Sequence, residues 1–497
     1  MPISKLGFSI IIIILISYFP FFGHLGDYTI RIWDESRNFI NSYEMFLNGN
    51  YFYTTFHGNP DFWNTKPVLL NWLQILSFYC FGVNEISFRI PSAIAGLLTL
   101  LSLFFFTRRI LTYSDTSSLS INIFPFIVIL ILISSQGYFL YHGVRTGDYD
   151  SVLTLFTTLS FITFFFYIQS KNDKLIVLFS IFLFLGVSTK GIAPFLFLPG
   201  FFINIIVFKQ LKSLLTSKRL YLSLIFLSLA IAGIYLIREY FTPGYLKAVY
   251  ENELGRRYSQ PLEGHNHEYF YYINQFNGWK YKPWLYLTPL SLLSLLFGKN
   301  AIQNKLVKFT WIQLLSYLLI ISLSSTKLGW YDMPLYPLMA ILNGFVIYNI
   351  IDFLSQKISN SLKVSPSIIS VIFIILIFAY PYQLLSNKII ASNDLPKYKG
   401  FYCLEYFLRE ASNNHRTDLN NNKVLYEGYK AQHFLYLINL EKQGIKLDYI
   451  NINKIMTNDT IILSQESAFI KLTEQCEFDI IEEKNNLKRI KIIATKR

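Results

Sequence analysis

Long apolar runs separated by short polar stretches fill the first 385 residues of the chain. Each run approaches the roughly 20 residues that a helix needs to cross the hydrocarbon core of a membrane. A soluble core does not use so many uninterrupted runs, so the pattern predicts membrane-spanning helices. We expect eleven spans, at residues 7–23, 88–107, 121–140, 151–168, 175–190, 192–208, 220–237, 284–298, 309–323, 333–351 and 366–385.

The composition agrees with a membrane protein. Hydrophobic residues make up 53% of the 497 residues and charged residues 15%, and the net charge is +13. A charge of this size can indicate nucleic-acid binding, but basic residues collected on one side of a membrane explain it more simply. We therefore expect membrane lipids, and no nucleic acid, among the partners of the chain.

The basic residues fall in every second polar segment when the amino terminus is placed in the cytoplasm, as the excess of Lys and Arg in cytoplasmic loops requires. The inner segments then carry Lys5, Arg108, Arg109, Lys171, Lys174, Lys209, Lys212, Lys218, Arg219, Lys299, Lys305, Lys308, Lys357 and Lys363. An odd number of spans places the long loops 24–87 and 238–283 outside, with the segment after residue 385. The pattern predicts a multi-pass protein of the cytoplasmic (inner) membrane whose active site and C-terminal domain are extracytoplasmic.

Residues 386–497 have a different pattern. Asn, Lys, Asp and Glu are frequent there, and short apolar runs occur at 423–426, 461–463 and 490–493. Short runs of this kind are typical of strands, so we predict a small soluble α/β domain. The predicted fold is a polytopic all-α membrane domain over residues 1–385, with about 11 (11–13) transmembrane helices and amphipathic outer-face loops, followed by this small domain.

The first outer loop carries an acidic pair, Asp34 and Glu35, directly after an apolar span. One explanation is helix capping, in which Asp34 caps a helix running to Asn48 and Glu35 lies near its positive end. The other explanation is chemical, because a carboxylate can act as a general base. Capping and catalysis both stay open at this point.

The second outer loop adds Arg145, Asp148 and Asp150 at the start of the next apolar run. Such charges can simply belong to a solvated loop. Acidic residues that adjoin an apolar helix are costly, however, unless they face protein or water. These residues are therefore candidates for a site at the membrane face.

Three lysines, Lys66, Lys190 and Lys327, lie on the predicted outer side, against the trend that places basic residues inside. Lys66 can reach the interface by extending along apolar neighbours. An anionic ligand explains all three lysines together, and phosphate is the obvious candidate. Tyr331 follows Lys327 closely in the same segment.

The loop 238–283 contains His265, His267 and Glu268, whose side chains could ligate a divalent metal. No flanking pattern requires a metal, and no cofactor is certain. The chain contains no phosphate-cradling Gly-x-x-x-x-Gly-Lys loop, no dinucleotide-binding Gly-x-Gly-x-x-Gly after a strand and no Gly-x-Ser-x-Gly elbow. Chemistry driven by a nucleotide is therefore unsupported.

Taken in order, these motifs resemble those of the lipid-phosphate-sugar-dependent membrane glycosyltransferases of the GT-C type, which include the protein O-mannosyltransferases and the lipid A aminoarabinose transferase. The matching elements are Asp34-Glu35, Lys66-Pro67-Val68-Leu69-Leu70-Asn71-Trp72, Arg89-Ile90-Pro91-Ser92, Arg145-Thr146-Gly147-Asp148, Thr189-Lys190-Gly191, and Lys327 with Tyr331, Pro334 and Pro337. One position departs from the aminoarabinose transferase pattern, because Thr65 stands where a Glu usually precedes the lysine.

The resemblance implies transfer of a hexosyl or pentosyl group from a polyprenyl-phosphate sugar to a lipid, glycan or protein acceptor of the cell envelope, with inversion. It implies that Asp34 is the general base or orients the acceptor, with Glu35 beside it. Asp150, or else Asp148, would assist binding of the acceptor or the sugar. Lys66, Arg145, Lys190, Lys327 and Tyr331 would hold the donor phosphate.

Two other function classes remain open. A transporter or flippase of a lipid-linked sugar would also place charges near apolar spans, but such proteins tend to carry charges at mid-membrane and to show paired halves. Here the charges collect at one face and no internal repeat is visible. A structural envelope protein is the third class, and it leaves the outer lysines unexplained.

Overall fold

The computed structural model describes residues 3–112, 118–255, 264–297, 301–391 and 400–496, and it is largely helical up to residue 391. Helices in the first part are α1 (Ile3–Phe22), α2 (Asp34–Asn48), α3 (Leu69–Phe81), α4 (Glu85–Thr112), α5 (Ser118–Ile133), α6 (Gln136–Phe139), α7 (Asp150–Ser170), α8 (Lys174–Lys190), α9 (Leu198–Val207), α10 (Leu211–Leu215) and α11 (Lys218–Phe241). A two-stranded hairpin of β1 (Thr55–Phe56) and β2 (Asn59–Pro60) lies in the first long loop.

The second part of the helical region contains several short helices before three long ones. They are α12 (Tyr245–Val249), α13 (Tyr271–Gln275), α14 (Leu287–Leu290), α15 (Leu293–Phe297), α16 (Ala301–Leu323), α17 (Leu335–Leu362) and α18 (Pro366–Ala391). Among the described residues, six helices are long and apolar enough to cross a membrane: α4, α7, α11, α16, α17 and α18. The membrane character is therefore confirmed, whereas the count of eleven spans stays a prediction.

The helices depart from the predicted spans in several places. The span 309–323 begins earlier, at Ala301, so Lys305 and Lys308 belong to α16 and not to a loop. The span 121–140 is interrupted, because α5 ends at Ile133 and the chain turns before α6. In both places the helix boundary depends on packing against neighbouring helices and not on local hydrophobicity alone.

Basic residues gather at one end of the helical bundle and the acidic loop residues at the other. Arg108 and Arg109 lie in the last turns of α4, and Lys171 follows the end of α7. Lys305 of α16 donates to Gln169 of α7 at the same end, 2.8 Å away. The opposite ends of α7 and α16 lead to Asp150 and to the loop before α17, and the side of the membrane that each end faces stays a prediction.

The C-terminal segment folds as a small mixed sheet with helices, as predicted. Its elements are α19 (Cys403–Asn413), β3 (Lys423–Leu425), α20 (Phe434–Glu441), β4 (Asp448–Ile450), β5 (Thr460–Leu463), α21 (Glu466–Gln475), β6 (Cys476–Lys484) and β7 (Leu487–Thr495). The strand order is β4-β3-β5-β7-β6. β3 pairs in parallel with β4 and β5, and β7 pairs antiparallel with β5 and β6.

The two faces of this sheet bury different groups of apolar residues, because successive side chains of a strand point to opposite faces. Val424 and Ile462 join one cluster with Leu404 of α19, whereas Leu425 and Ile461 join another beneath α21. The first cluster also contains side chains of α2, α3 and α4. The C-terminal sheet domain therefore shares a core with the helical region. The predicted boundary after residue 385 falls inside α18, which continues to Ala391.

Candidate active site

The helix predicted to follow Asp34 is present and ends at Asn48, but Asp34 does not cap it. Trp33 occupies the cap position, and no side-chain hydrogen bond caps the helix. Trp33 has φ of 69°, a left-handed conformation that is unfavourable for a bulky residue by about 1–3 kcal/mol. Asp34 lies exposed in the first helical turn, and among the described residues no hydrogen bond or ion pair to its carboxylate is observed. The capping explanation is therefore wrong for Asp34.

Glu35 has the opposite environment, buried and fully hydrogen-bonded. Arg89 donates through Nε to Oε1 at 2.7 Å and through Nη2 to Oε2 at 3.0 Å. The backbone N–H of Gly147 donates to Oε1 at 3.0 Å, and that of Arg31 to Oε2 at 2.8 Å. Burial alone would raise the pKa of Glu35, but Arg89 and these N–H groups lower it below the ordinary value. Glu35 thus ties α2 to α4 and to the 140–150 loop.

Asp148 and Asp150 are buried and each is paired with a cation. Asp148 Oδ2 lies 2.9 Å from Nδ1 of His142. Lys190, the last residue of α8, donates to Oδ1 of Asp150 at 2.5 Å. Burial disfavours a charged imidazole, but Asp148, Asp34 and Asp150 together raise the pKa of His142 above its ordinary value. Asp148 therefore pairs directly with His142, and the carboxylates at the starts of α2 and α7 act on the same imidazole electrostatically.

The loop between α16 and α17 packs against His142 and Lys190. Trp330 stacks on His142 with ring centroids 3.8 Å apart, and Lys190 lies 5.4 Å from the ring centre of Tyr331. Asp332 accepts from Lys280 at 2.8 Å. Burial raises the pKa of Asp332 to about 6, although Lys280 opposes the rise.

Lys327 belongs to the same loop and is buried. Its Nζ donates to the carbonyl of Ser324 at 2.8 Å and lies 5.7 Å from the ring centre of Tyr269. Burial lowers the pKa of Lys327. No carboxylate lies within ion-pairing distance of this ammonium group in the described part of the chain. Lys327 thus carries a buried positive charge that no described carboxylate neutralises, and a buried charge of this kind is suited to an anionic ligand.

Lys66 lies near Glu253, which also reaches the end of α8. Its Nζ lies 3.9 Å from Oε1 of Glu253, which also accepts from Thr65 at 2.9 Å. The second carboxylate oxygen of Glu253 lies 3.2 Å from the position that a β carbon on Gly191 would take. Glu253 therefore spans the space between Lys66 and the end of α8. It also supplies a carboxylate next to Thr65, where the sequence pattern lacks one.

Arg145 is not brought to this group. Its guanidinium donates to the carbonyls of Pro20 at 2.8 Å and Gly23 at 2.6 Å, at the end of α1. These carbonyls are the unpaired acceptors that a helix leaves at its C-terminus, where a cation is favourable. This geometry favours a structural role. The predicted contact of Arg145 with the donor phosphate stays a prediction.

The three residues named as metal ligands do not converge. His265 and His267 have ring centroids 6.4 Å apart, and His267 stacks on Tyr271 at 4.2 Å. Across the described ranges, no three His, Cys, Asp or Glu side chains are grouped so that they could hold a metal ion. The described residues around His265 and His267 therefore do not fit a metal centre.

Six residues that the structure places in or beside the site have no role assigned from the sequence: Arg89, His142, Glu253, Lys280, Trp330 and Asp332. Lys280 could have been found by the argument applied to the other outer lysines. His142 opens the second outer loop and adjoins the acidic residues quoted there. Arg89 was quoted only as part of a motif, because its partner Glu35 lies more than fifty positions earlier.

Comparison with known proteins agrees with this picture. Residues 65–237 match the family model of dolichyl-phosphate-mannose-protein mannosyltransferase, a stretch that contains Lys66, Arg145, Asp148, Asp150 and Lys190. An uncharacterised protein of Aquifex aeolicus is 26% identical over 71% of this chain and 65% of its own length. The undecaprenyl phosphate-alpha-4-amino-4-deoxy-L-arabinose arabinosyl transferase 2 of Pseudomonas fluorescens is 24% identical over 65% of this chain and 56% of its own length.

A solved structure covers nearly the whole chain. The crystal structure of ArnT from Cupriavidus metallidurans bound to undecaprenyl phosphate superimposes with a TM-score of 0.70 at 13% identity and covers 97% of both chains. The apo form of the same protein gives 0.69. At this identity the likeness concerns the fold. The resemblance inferred from the ordered motifs is confirmed, and the chain has the fold of ArnT.

Proposed function

We propose that this protein transfers a glycosyl group from a polyprenyl-phosphate sugar to an acceptor of the cell envelope, a lipid, a glycan or a protein. The observation that carries the proposal is the exposed Asp34 carboxylate, which acts on His142 electrostatically together with Asp148 and Asp150. The similar transferase of Pseudomonas fluorescens is named for an undecaprenyl-phosphate sugar, and ArnT was crystallised with undecaprenyl phosphate. Both names support a donor of this class.

In this proposal the donor phosphate binds among Lys66, Lys190 and Lys327. Lys327 needs an anion most, because among the described residues its buried ammonium group is bonded to a carbonyl and to no carboxylate. Lys190 and Lys66 already face Asp150 and Glu253, which hold them in place before the donor arrives. Tyr331 lies beside Lys190 and donates a hydrogen bond to a phosphate oxygen.

The reaction itself forms one bond and breaks one bond. The acceptor hydroxyl oxygen bonds to the anomeric carbon, and the bond from that carbon to the phosphate oxygen breaks, so that polyprenyl phosphate leaves with the electron pair. Asp34 takes the proton of the hydroxyl as the new bond forms. The lysines stabilise the negative charge that grows on the leaving phosphate. Attack from the side opposite the phosphate inverts the anomeric configuration.

In this proposal Glu35 and Asp148 hold other groups in place and do not take part in proton transfer. Glu35 is saturated by Arg89 and two backbone N–H groups, so it fixes the start of α2 and leaves proton transfer to Asp34. Asp148 holds His142, which in turn stacks on Trp330 and orders the α16–α17 loop. The site lies at the outer face of the cytoplasmic membrane, with the C-terminal sheet domain on the same side.

The test is transfer by the purified protein in lipid, with a panel of radiolabelled polyprenyl-phosphate sugars and envelope lipids, glycans and proteins as acceptors. Asp34→Asn should reduce release of polyprenyl phosphate by about 100-fold or more, because positioned general bases contribute about 10²–10⁴-fold. Asp27→Asn is the matched control: Asp27 is exposed in the same loop and pairs with His24. It should stay within about twofold of the wild type.

Near-normal transfer by a correctly inserted Asp34→Asn protein would contradict the assignment of Asp34. Donor binding without release in either protein would instead favour a flippase of lipid-linked sugars, provided that donors and acceptors were widely sampled. Measuring transbilayer movement of the same labelled donor separates these two functions.

A further inference from the structure

The C-terminal sheet domain contacts the segment that leads into α2. One apolar cluster contains Ile30 and Phe39 from this region, together with Leu404 and Leu435 from α19 and α20. The contact between the C-terminal sheet domain and this segment is therefore part of the buried core. It places the domain directly against the residues that precede Asp34.

Polar groups of the domain also hold this segment. Residues 29–31 have no regular secondary structure, so their backbone N–H groups need partners from elsewhere. The hydroxyl of Tyr436 accepts from the N–H of Ile30 at 2.9 Å, and that of Tyr402 accepts from Ile32 at 3.3 Å. Arg409 donates to the carbonyl of Asp27 at 3.0 Å. Side chains of the domain thus replace the pairing that a helix or sheet would give.

Tyr429 acts at the last residue before Asp34. Its ring stacks on Trp33 with centroids 4.6 Å apart and planes at 28°, and its hydroxyl donates to the carbonyl of Trp33 at 3.3 Å. On another side the Tyr429 ring lies parallel to Phe56, at 6.4 Å. Tyr429 is therefore held between Phe56 and Trp33. It contacts both the ring and the backbone of Trp33.

Trp33 needs such support, because its left-handed backbone is uncommon for a bulky residue and persists only where the surroundings determine it. The Asp34 carboxylate has no partner among the described residues that would fix it from its own side. Its position then depends on the backbone turn at Trp33. A change at that turn would move the carboxylate relative to the acceptor.

We propose that Tyr429 is a positioning residue through which the C-terminal sheet domain holds Trp33 in its left-handed turn and so aims the Asp34 carboxylate. This inference rests on the proposed function for its kinetic consequence. The domain thereby contributes to turnover without touching the donor phosphate, which binds among Lys66, Lys190 and Lys327. Small displacements of a reacting group are enough to matter, since about 1 Å can cost about 100-fold in rate.

The experiment compares Tyr429→Ala, Tyr429→Phe and Phe469→Ala in the full-length protein in lipid. Phe469 packs on Phe478 on the far face of the same sheet, so its variant reports general loosening of the domain. With the polyprenyl-phosphate sugar that turns over fastest, Tyr429→Ala should lower kcat about 10- to 100-fold and leave KM for the donor within about twofold. Tyr429→Phe keeps the stacked ring and should retain most of the activity.

Amide hydrogen exchange of residues 30–38, measured without any ligand, gives a second readout. It should become faster in Tyr429→Ala, recover in Tyr429→Phe and stay unchanged in Phe469→Ala. The inference is overturned if exchange in Tyr429→Ala matches the wild type, or if kcat falls no further than in Phe469→Ala. If the wild type releases no polyprenyl phosphate from any donor, the proposed function fails, and the exchange data still decide whether Tyr429 holds the turn.

Discussion

Two acidic residues that are neighbours in the sequence lie in contrasting regions of the molecule. Glu35 belongs to a closed region in which Arg89 and two backbone N–H groups satisfy both of its oxygens. Asp34 belongs to an open region: it is exposed, and its charge acts on His142 together with that of Asp150, the partner of Lys190. The difference lies in how far each charge has been satisfied by the protein itself.

The comparison indicates how the two regions divide the work. A saturated buried pair holds elements together but has no capacity left for a substrate, whereas an incompletely paired group at the surface can bind one. Lys327 follows the same logic in the open region, since its buried ammonium group is bonded to a carbonyl and, within the described ranges, is not paired with a carboxylate. The closed region is expected to affect stability first and the open region to affect activity first.

Breaking the closed pair should have the largest effect. Arg89→Gln leaves Glu35 buried without its cation and should lower the free energy of unfolding by about 3–5 kcal/mol. Thermal unfolding in detergent measures the loss. Arg109→Gln, at the exposed other end of the same helix, should change stability by less than about 0.5 kcal/mol. Equal stability of the two variants would remove the distinction drawn for Glu35.

Removing the Lys327 charge from the open region should have an intermediate effect. The quantity affected is the apparent affinity for the donor. Lys327→Met should weaken apparent affinity for a polyprenyl-phosphate sugar about 10- to 100-fold, the usual size of a charge-assisted contact. The unfolding temperature should hold or rise, because a desolvated charge is lost. Lys174→Met, exposed at the start of α8, is the control. Unaltered donor titrations for Lys327→Met would show that the phosphate binds elsewhere.

The smallest expected effect is on the pH dependence of the unfolding temperature. It involves His142, which lies between the closed and open regions. The pKa of His142 is raised in the folded protein by Asp148, against the opposing effect of burial. The stabilisation is then complete below the unfolded value of about 6.5 and is lost as the pH rises through the folded value. Wild-type unfolding temperatures should fall across this window more than those of His142→Gln.

The control for the pH experiment is His24→Gln, because His24 is exposed and pairs with Asp27 in the first outer loop. Its unfolding temperature should follow the wild-type curve at every pH. A His142→Gln curve parallel to the wild type would mean that the pair with Asp148 adds nothing to folding.

The sequence by itself determined the features that depend on neighbouring residues. Apolar runs gave the long helices, and the helix expected after Asp34 ends at Asn48 as predicted. Short apolar runs near residues 424, 462 and 491 became β3, β5 and β7. The ordered motifs were sufficient to indicate the GT-C resemblance. These signals are local, because periodicity and chain position are written in consecutive residues.

Only the tertiary structure decided which charges pair and which remain available. Asp34 and Glu35 cannot be told apart by sequence, since the partner of Glu35 lies on α4 and the environment of Asp34 is set by the turn at Trp33. Arg145 turned to the carbonyls of α1, and His142 joined the acidic group. Such contacts link residues far apart in the chain, and their geometry follows from packing, which no local pattern encodes.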